Sequence, residues 1–349
     1  MIDPRAVSGC VRCGTCRSVC PVFQETGWES SGARGKMLVL KSMTEGANLD
    51  SWCRDSLGTC TTCALCTQIC PAAVRPTGLI EEGRRDLVLA NVTRQEHRRL
   101  NRNLLRYGNT FGDGRDRLGW LGEEKEMLPK SADFVYFAGC VNSYRYPETA
   151  KKTFQILSRF SVTAMPQEMC CGSPLLRTGF DAGFLREANL EQMEAMGARA
   201  IITGCAGCYT ALKGYGGLEV YSVPEFLNQR LEELDIQPLD LTVCYHDPCH
   251  LGRHQGVYDP PRRILEAICS LVEMKASREK ARCCGGGGGV RAAYPELSQK
   301  IARRRLLDVP AEADAIVTAC PLCVRNLRDA GGNAIDLIDL VSRALPPSL

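Results

Sequence analysis

The chain has 349 residues, of which 44% are apolar, enough for roughly two or three domains with a sizeable core. A net charge of +3 and an aromatic content of 6% exclude a nucleic-acid stacking surface and give no reason to expect a polyanion or a membrane surface as the main partner. The outlying number is 21 cysteines. In a small secreted chain they would read as disulfides, but this chain is long, opens on MIDPRAVSGC without an apolar leader, and gathers its cysteines in tight groups. Metal binding in a reducing cytoplasm, guarded from oxygen, is therefore expected.

The first group is Cys10, Cys13, Cys16 and Cys20-Pro21, a CxxCxxCxxxCP run repeated at Cys60, Cys63, Cys66 and Cys70-Pro71. Three cysteines at three-residue steps grip three corners of a cubane from one loop. The fourth cannot fold back to the same cube, and in two-cluster ferredoxins it serves the other one. The expected ligand sets are Cys10, Cys13, Cys16 and Cys70 for one [4Fe–4S] cubane, and Cys60, Cys63, Cys66 and Cys20 for the other. The prolines are expected to stop the local helix. Zinc sites usually show two well-separated CxxC pairs, which this spacing does not match. Between the runs lie 39 residues including GWESSGARGK, where Arg34 and Lys36 either place positive charge near a cluster or are ordinary surface residues. Cys53, and later Cys244 and Cys269, fall outside every motif and read as small buried hydrophobes.

The charged stretch from Arg84 to Arg106 carries Leu87, Leu100, Leu104 and Leu105 as an apolar stripe and reads as one helix. Its arginines read as a solvated face rather than a dock for an acidic partner, with His97 facing solvent. The Gly-rich, charged segment that follows reads as a linker, so residues 1–95 form a first domain and 96–132 a connection.

From Asp133 short β-prone runs alternate with helical ones, the signature of parallel α/β units. DFVYFAGC, ARAIITGC, LTVCYHDPC and DAIVTAC each end in cysteine. VYSVPEFL and AIDLIDLV also read as strand-like. The pattern is a duplication, with units at 133–238 and 239–349. Cys140, Cys170-Cys171-Gly172 and Cys205-x-x-Cys208 recur as Cys249, Cys283-Cys284-Gly285 and Cys320-x-x-Cys323, and AIITGCAGCYTAL aligns without gaps to AIVTACPLCVRNL. Five thiolates per copy exceed the needs of one cubane or one zinc. The surplus points to an unusual cluster, or to a site with one cysteine held free for chemistry. The cysteines are expected beyond the carboxyl ends of strands, with each CxxC opening a helix whose free N–H groups stabilise sulfur charge. The glycines of CCGGGGGV let the backbone approach sulfur; without GK[ST] they do not read as a phosphate loop.

Two CxxCxxCxxxCP runs followed by two copies of C…CCG…CxxC resemble the CCG-domain iron–sulfur proteins. CVRCGTCRSVCPVF, GWESSGARGK and YHDPCHLGR fall nearest the layout of the heterodisulfide reductase D subunit. With variations, the layout is also similar to the iron–sulfur subunits of glycolate oxidase, lactate oxidation systems and anaerobic glycerol-3-phosphate dehydrogenase. The resemblance implies a mixed α+β and α/β fold: a mainly helical two-[4Fe–4S] ferredoxin-type domain, then two α/β CCG domains. It also implies a noncubane [4Fe–4S] cluster on Cys140, Cys170, Cys171, Cys205 and Cys208, and a second on Cys249, Cys283, Cys284, Cys320 and Cys323. The disulfide of coenzyme M and coenzyme B would be cleaved between them. The gaps within the first copy, 29 and 33 residues against 33 and 35, run short of the usual spacing and leave zinc as the alternative there.

Three of the four histidines lie in HDPCHLGRH. His246 and His250 are candidates for protonating a thiolate product beside the second cluster, or else, like His254, hydrogen-bond to fix the loop. No run approaches the ~20 apolar residues of a membrane span. With no flavin or nicotinamide fingerprint, hydride chemistry falls to a partner. Two functions follow as expectations. One is a heterodisulfide reductase-type oxidoreductase subunit acting on a small disulfide. The other is a pure relay between a flavin dehydrogenase (hydroxy acid, glycerol-3-phosphate or acyl-CoA) and a quinone-linked or cytochrome membrane subunit. Either way the chain is expected in the cytoplasm, meeting a membrane only through a partner.

Overall fold

The computed structural model describes residues 2–346. Its N-terminal part is helical. Helices Ala33–Thr44, Ser51–Gly58 and Pro76–Leu89 enclose a small core that includes Met37, Leu40, Leu57, Ile80 and Leu87. The two cysteine loops adopt the same backbone. Arg12 and Gly14 in the first, and Thr62 and Ala64 in the second, all take left-handed φ, between 53° and 86°. A branched residue such as Thr62 is strained there. Pro21 does not stop a helix as expected: it opens Pro21–Thr26 at the first position, where its missing N–H is no loss.

The remainder is two four-stranded parallel sheets. Strands β1 (Phe134–Phe137), β2 (Val162–Ala164), β3 (Ala200–Thr203) and β4 (Glu219–Ser222) take the order β2-β1-β3-β4. Strands β5 (Thr242–Tyr245), β6 (Ser270–Val272), β7 (Ala315–Thr318) and β8 (Ala334–Asp336) repeat it as β6-β5-β7-β8. In each, the chain leaves the first strand to one side and returns on the other, so a switch point opens at the carboxyl ends. Helix Val223–Asn228 of the first copy packs on Asp259–Ile268 of the second, and Leu337–Ala344 of the second on Pro147–Leu157 of the first. These are reciprocal pairs of equivalent elements, which makes the interface an internal pseudo-twofold. One core runs through both copies.

Several expectations need correction. VYSVPEFL and AIDLIDLV are strands only at their starts. A capping box at Ser222 and Glu225, and Asp336 accepting from the Ile338 N–H at 3.0 Å, turn them into helices. The basic stretch is two helices, Pro76–Leu89 and Gln95–Tyr107, broken where Asn91 takes a left-handed φ. His97 is buried, with Nε2 3.1 Å from the Gly289 carbonyl. Arg84 is buried too, so it does not belong to a solvated face. The segment 96–132 is no loose tether: Leu104, Arg117, Leu118, Trp120 and Leu121 are buried, and Trp120 meets Tyr136 and Phe154 edge-on.

Candidate metal centres

Cys20, Cys60, Cys63 and Cys66 line one buried pocket together with Lys36 and Ile80. Burial pushes the Cys60 and Cys66 thiols up, while the charges of Arg84 and Lys36 pull Cys60 back down. Cys13 is exposed at the surface, and its pKa is lowered by a hydrogen bond from Thr15. Cys16, beside Cys20, Cys10 and Cys13, is pushed up to about 11, mainly by burial. Cys10 and Cys70 both pack on the small N-terminal core. Of the two cations raised by the sequence, Arg34 is spent on Glu29 at 2.7 Å, whereas Lys36 lines the pocket.

In the C-terminal half every motif cysteine named here lies beyond a strand's carboxyl end. Cys140 follows β1. Cys205 and Cys320 follow β3 and β7 and are the N-caps of helices Ala206–Lys213 and Pro321–Asp329. The first copy's thiols form a connected set of neighbours that act on one another's acidity: Cys140 and Cys170, Cys170 and Cys171, Cys171 and Cys208, Cys208 and Cys205. The second copy does the same from Cys320 to Cys323, to Cys284 (3.4 Å), to Cys283 and to Cys249. Two further contacts join the sets. Cys205 reaches Cys320, and Cys283 reaches Cys63 of the N-terminal pocket. Cys205 and Cys320 are the same position of the repeat, so their meeting lies on the pseudo-twofold. Neighbouring sulfurs lower some thiols of each set and raise others. Cys170 and Cys208 pull the Cys171 thiol down to about 6, and Cys283, Cys323 and His246 pull Cys284 well down.

The two copies are wired differently around these sulfurs. Beside the first, Arg117 lies 3.5 Å from Cys140 Sγ and is ion-paired with Glu168, which also accepts from the Ala138 and Gly139 N–H groups at 2.8 and 2.9 Å. Beside the second, His246, Cys284 and Cys323 converge, with ligand atoms within 4.8 Å of one another and all three residues buried. Arg305 Nε donates to His246 Nδ1 at 3.0 Å, which leaves the ring hydrogen on Nε2. His250 Nδ1 lies 3.3 Å from Cys249 Sγ, and its ring stacks on His254 at 4.3 Å. His254 Nε2 lies 2.9 Å from the Thr62 carbonyl, a loop-fixing bond. His250 Nε2 is buried without a partner among the described residues.

The glycine run does more than approach its own sulfur. The Gly285 N–H points at Cys283 Sγ at 3.3 Å, but a Cβ at Gly287 would lie 2.8 Å from the Thr61 carbonyl, and one at Gly288 would collide with that of Cys60. Only glycine lets the second CCG loop lie against the Cys60 loop. Arg253 ties the same junction, donating to the Cys63 and Ala281 carbonyls at 2.6 Å each. Sequence reasoning missed Arg84, Arg117, Glu168, Arg253 and Arg305. Only Arg253 carried a signal, its place inside HLGRH.

Soft sulfur donors in buried connected sets, with buried cations beside them, suit a polynuclear anionic cluster of iron and sulfide. Two ferredoxin-like loops abutting a duplicated α/β unit define an iron–sulfur electron carrier built on cysteine-rich repeats. A 4Fe-4S dicluster domain matches residues 6–74, and a cysteine-rich (CCG) domain matches 134–213 and again 243–328. The D subunit of the dihydromethanophenazine:CoB–CoM heterodisulfide reductase of Methanosarcina acetivorans is 34% identical, over 97% of this chain and 94% of that one. The B subunit of the fumarate reductase (CoM/CoB) of Methanothermobacter marburgensis is 32% identical, over 94% and 69%. The EtfAB:quinone oxidoreductase of Syntrophomonas wolfei is 30% identical, over 93% of this chain and 55% of that one. The chain belongs to the family of the heterodisulfide reductase D subunit, and it is an iron–sulfur subunit of heterodisulfide reductase-like or related oxidoreductases. Among the described residues no helix is long and apolar enough to cross a membrane.

Proposed function

We propose that this protein passes electrons inward through two cubane clusters to a pair of noncubane clusters that reduce a disulfide of the coenzyme M–coenzyme B type. The cubane ligands are Cys10, Cys13, Cys16 and Cys70 on the solvent side, and Cys20, Cys60, Cys63 and Cys66 within. The noncubane ligands are the two five-cysteine sets, with zinc as the other occupant of the first. One observation carries the reading: Cys205 and Cys320, the same position of the repeat, are neighbours across the pseudo-twofold, so the two sets adjoin. Splitting a disulfide consumes two electrons and two protons and leaves two thiols, and a metal site on each side of the bond gives each sulfur its own acceptor. A relay needs no such symmetry. His246, with its ring hydrogen on Nε2 and Cys284 within reach, is placed to donate a hydrogen bond to a product thiolate while the protons come from solvent; His250 is a weaker candidate for that contact. Electrons come from a flavoprotein or a membrane cytochrome or quinone-linked partner, with the chain on the cytoplasmic side.

Two anaerobic measurements test this. Iron analysis is expected to give ~16 iron per chain, against ~8 for cubanes alone, at four irons per cluster. A value near the lower figure with zinc present removes the paired noncubane sites. Fully loaded protein is expected to turn over coenzyme M–coenzyme B disulfide with a reduced viologen dye. Absence of turnover leaves the relay, in which the chain serves a flavin dehydrogenase.

A further inference from the structure

The cations around the N-terminal cysteines are distributed unevenly. On the solvent side Arg17 and Arg34 share one carboxylate, Glu29, at 3.2 and 2.7 Å, and the positive charge left over sits on partly exposed side chains where solvent screens it. On the inner side Lys36 is buried in the wall of the Cys20/Cys60/Cys63/Cys66 pocket, and its ammonium donates to the Ser31 carbonyl. Arg84 is buried alongside. Among the described residues its guanidinium donates only to carbonyls: Leu57 and Cys60 at 2.7 Å, Gly288 at 2.9 Å, Gly58 at 3.2 Å, and Arg177. The acid whose charge bears on Arg84, Glu81, is taken by Arg177 at 2.7 Å. Among the described residues neither Lys36 nor Arg84 has a carboxylate partner. Two buried cations without an anion are costly unless the pocket itself supplies the negative charge.

We propose that Lys36 and Arg84 are the fixed counter-charges of the inner pocket and make its cluster the more easily reduced of the N-terminal pair. This rests on the reading that the pocket holds a [4Fe–4S] cluster. Reduction adds one electron, and thus one negative charge, to a site already anionic through its thiolates. Burial alone opposes that step. Two adjacent cations favour it, and they act through low dielectric, where solvent screens them least. The outer site, with Cys13 exposed and its arginines sharing Glu29 at the surface, gets weaker, solvent-screened help. An electron arriving at the surface therefore runs inward, towards Cys63 and its neighbour Cys283.

The test is an anaerobic redox titration of the full chain with dithionite and mediators, followed by electron paramagnetic resonance. Cys13→Ser marks the outer signal. In the native chain the inner signal is expected to appear first. In Lys36→Met its midpoint falls, and its share of the first electron drops by about tenfold or more, with the outer midpoint unmoved. Arg84→Lys, which keeps charge but loses the fork of hydrogen bonds, retains the native order. Two intact signals with the inner midpoint unmoved in Lys36→Met overturn the proposal. If that variant does not hold its clusters, the native order decides, and an inner midpoint below the outer one overturns it. Absence of any reducible signal from the Cys60 loop, checked by iron and sulfide content, removes the cluster reading itself.

Discussion

His97 shows what burial does to a single residue. Desolvation holds its pKa down at about 4, and the ring sits against Gly289. The unfolded chain binds a proton here near pH 6.5, whereas the folded chain does not until about pH 4. Stability from this residue is therefore full above pH 6.5 and is lost as pH falls through that window. Between pH 7 and pH 5 the loss should be about 2 kcal/mol. In anaerobic denaturant titrations His97→Gln is expected to lose that much less than the native chain over the same interval. Equal pH slopes would mean that the ring titrates normally. A surface position is the natural reading of a lone His in an arginine-rich helix. Its burial comes from Gly289, which is 192 residues away and invisible to local periodicity. Arg84 eludes the sequence for the same reason. The cysteines are legible because ligand spacing is local.

At the scale of elements, the segment between the two halves is the informative one. Arg117 leaves that segment to pair with Glu168, and Glu168 in turn holds the turn after β1 through two backbone N–H groups. Breaking a buried pair strands the remaining charge. Glu168→Gln is thus expected to destabilise the chain by about 3–5 kcal/mol, read from denaturation midpoints. A loss under 1 kcal/mol, roughly the value of an exposed pair, would show that solvent reaches Arg117. Composition hides this, because glycine and charge are also what linkers are made of. Strands β1, β3, β5 and β7 are readable as apolar runs ending in cysteine. β2 and β6 are not, since VTA and SLV are three residues each and carry no period. The parallel α/β duplication itself follows from the repeat.

For the whole molecule, the pseudo-twofold makes the halves interdependent. Leu340 is fully buried in the last helix, which packs on Pro147–Leu157 of the other copy, where Thr149 and Lys152 also meet Asp339 at 3.3 and 3.2 Å. Leu340→Ala should cost about 2–5 kcal/mol. Amide exchange is expected to quicken in Pro147–Leu157 as well as locally; acceleration confined to the last helix would mean that the copies open independently. Nothing in the sequence tells which helix crosses to which copy, because both amphipathic faces read alike.

The row of sulfurs that suits iron has a hazard built into it. Thiols near enough to share a hydrogen are near enough, in air and without metal, to be oxidised to one another. A chain that met oxygen before iron would have Cys63 beside Cys283, half against half, and Cys205 beside Cys320, copy against copy, as neighbours open to cross-linking. Loading with iron and sulfide has to come first.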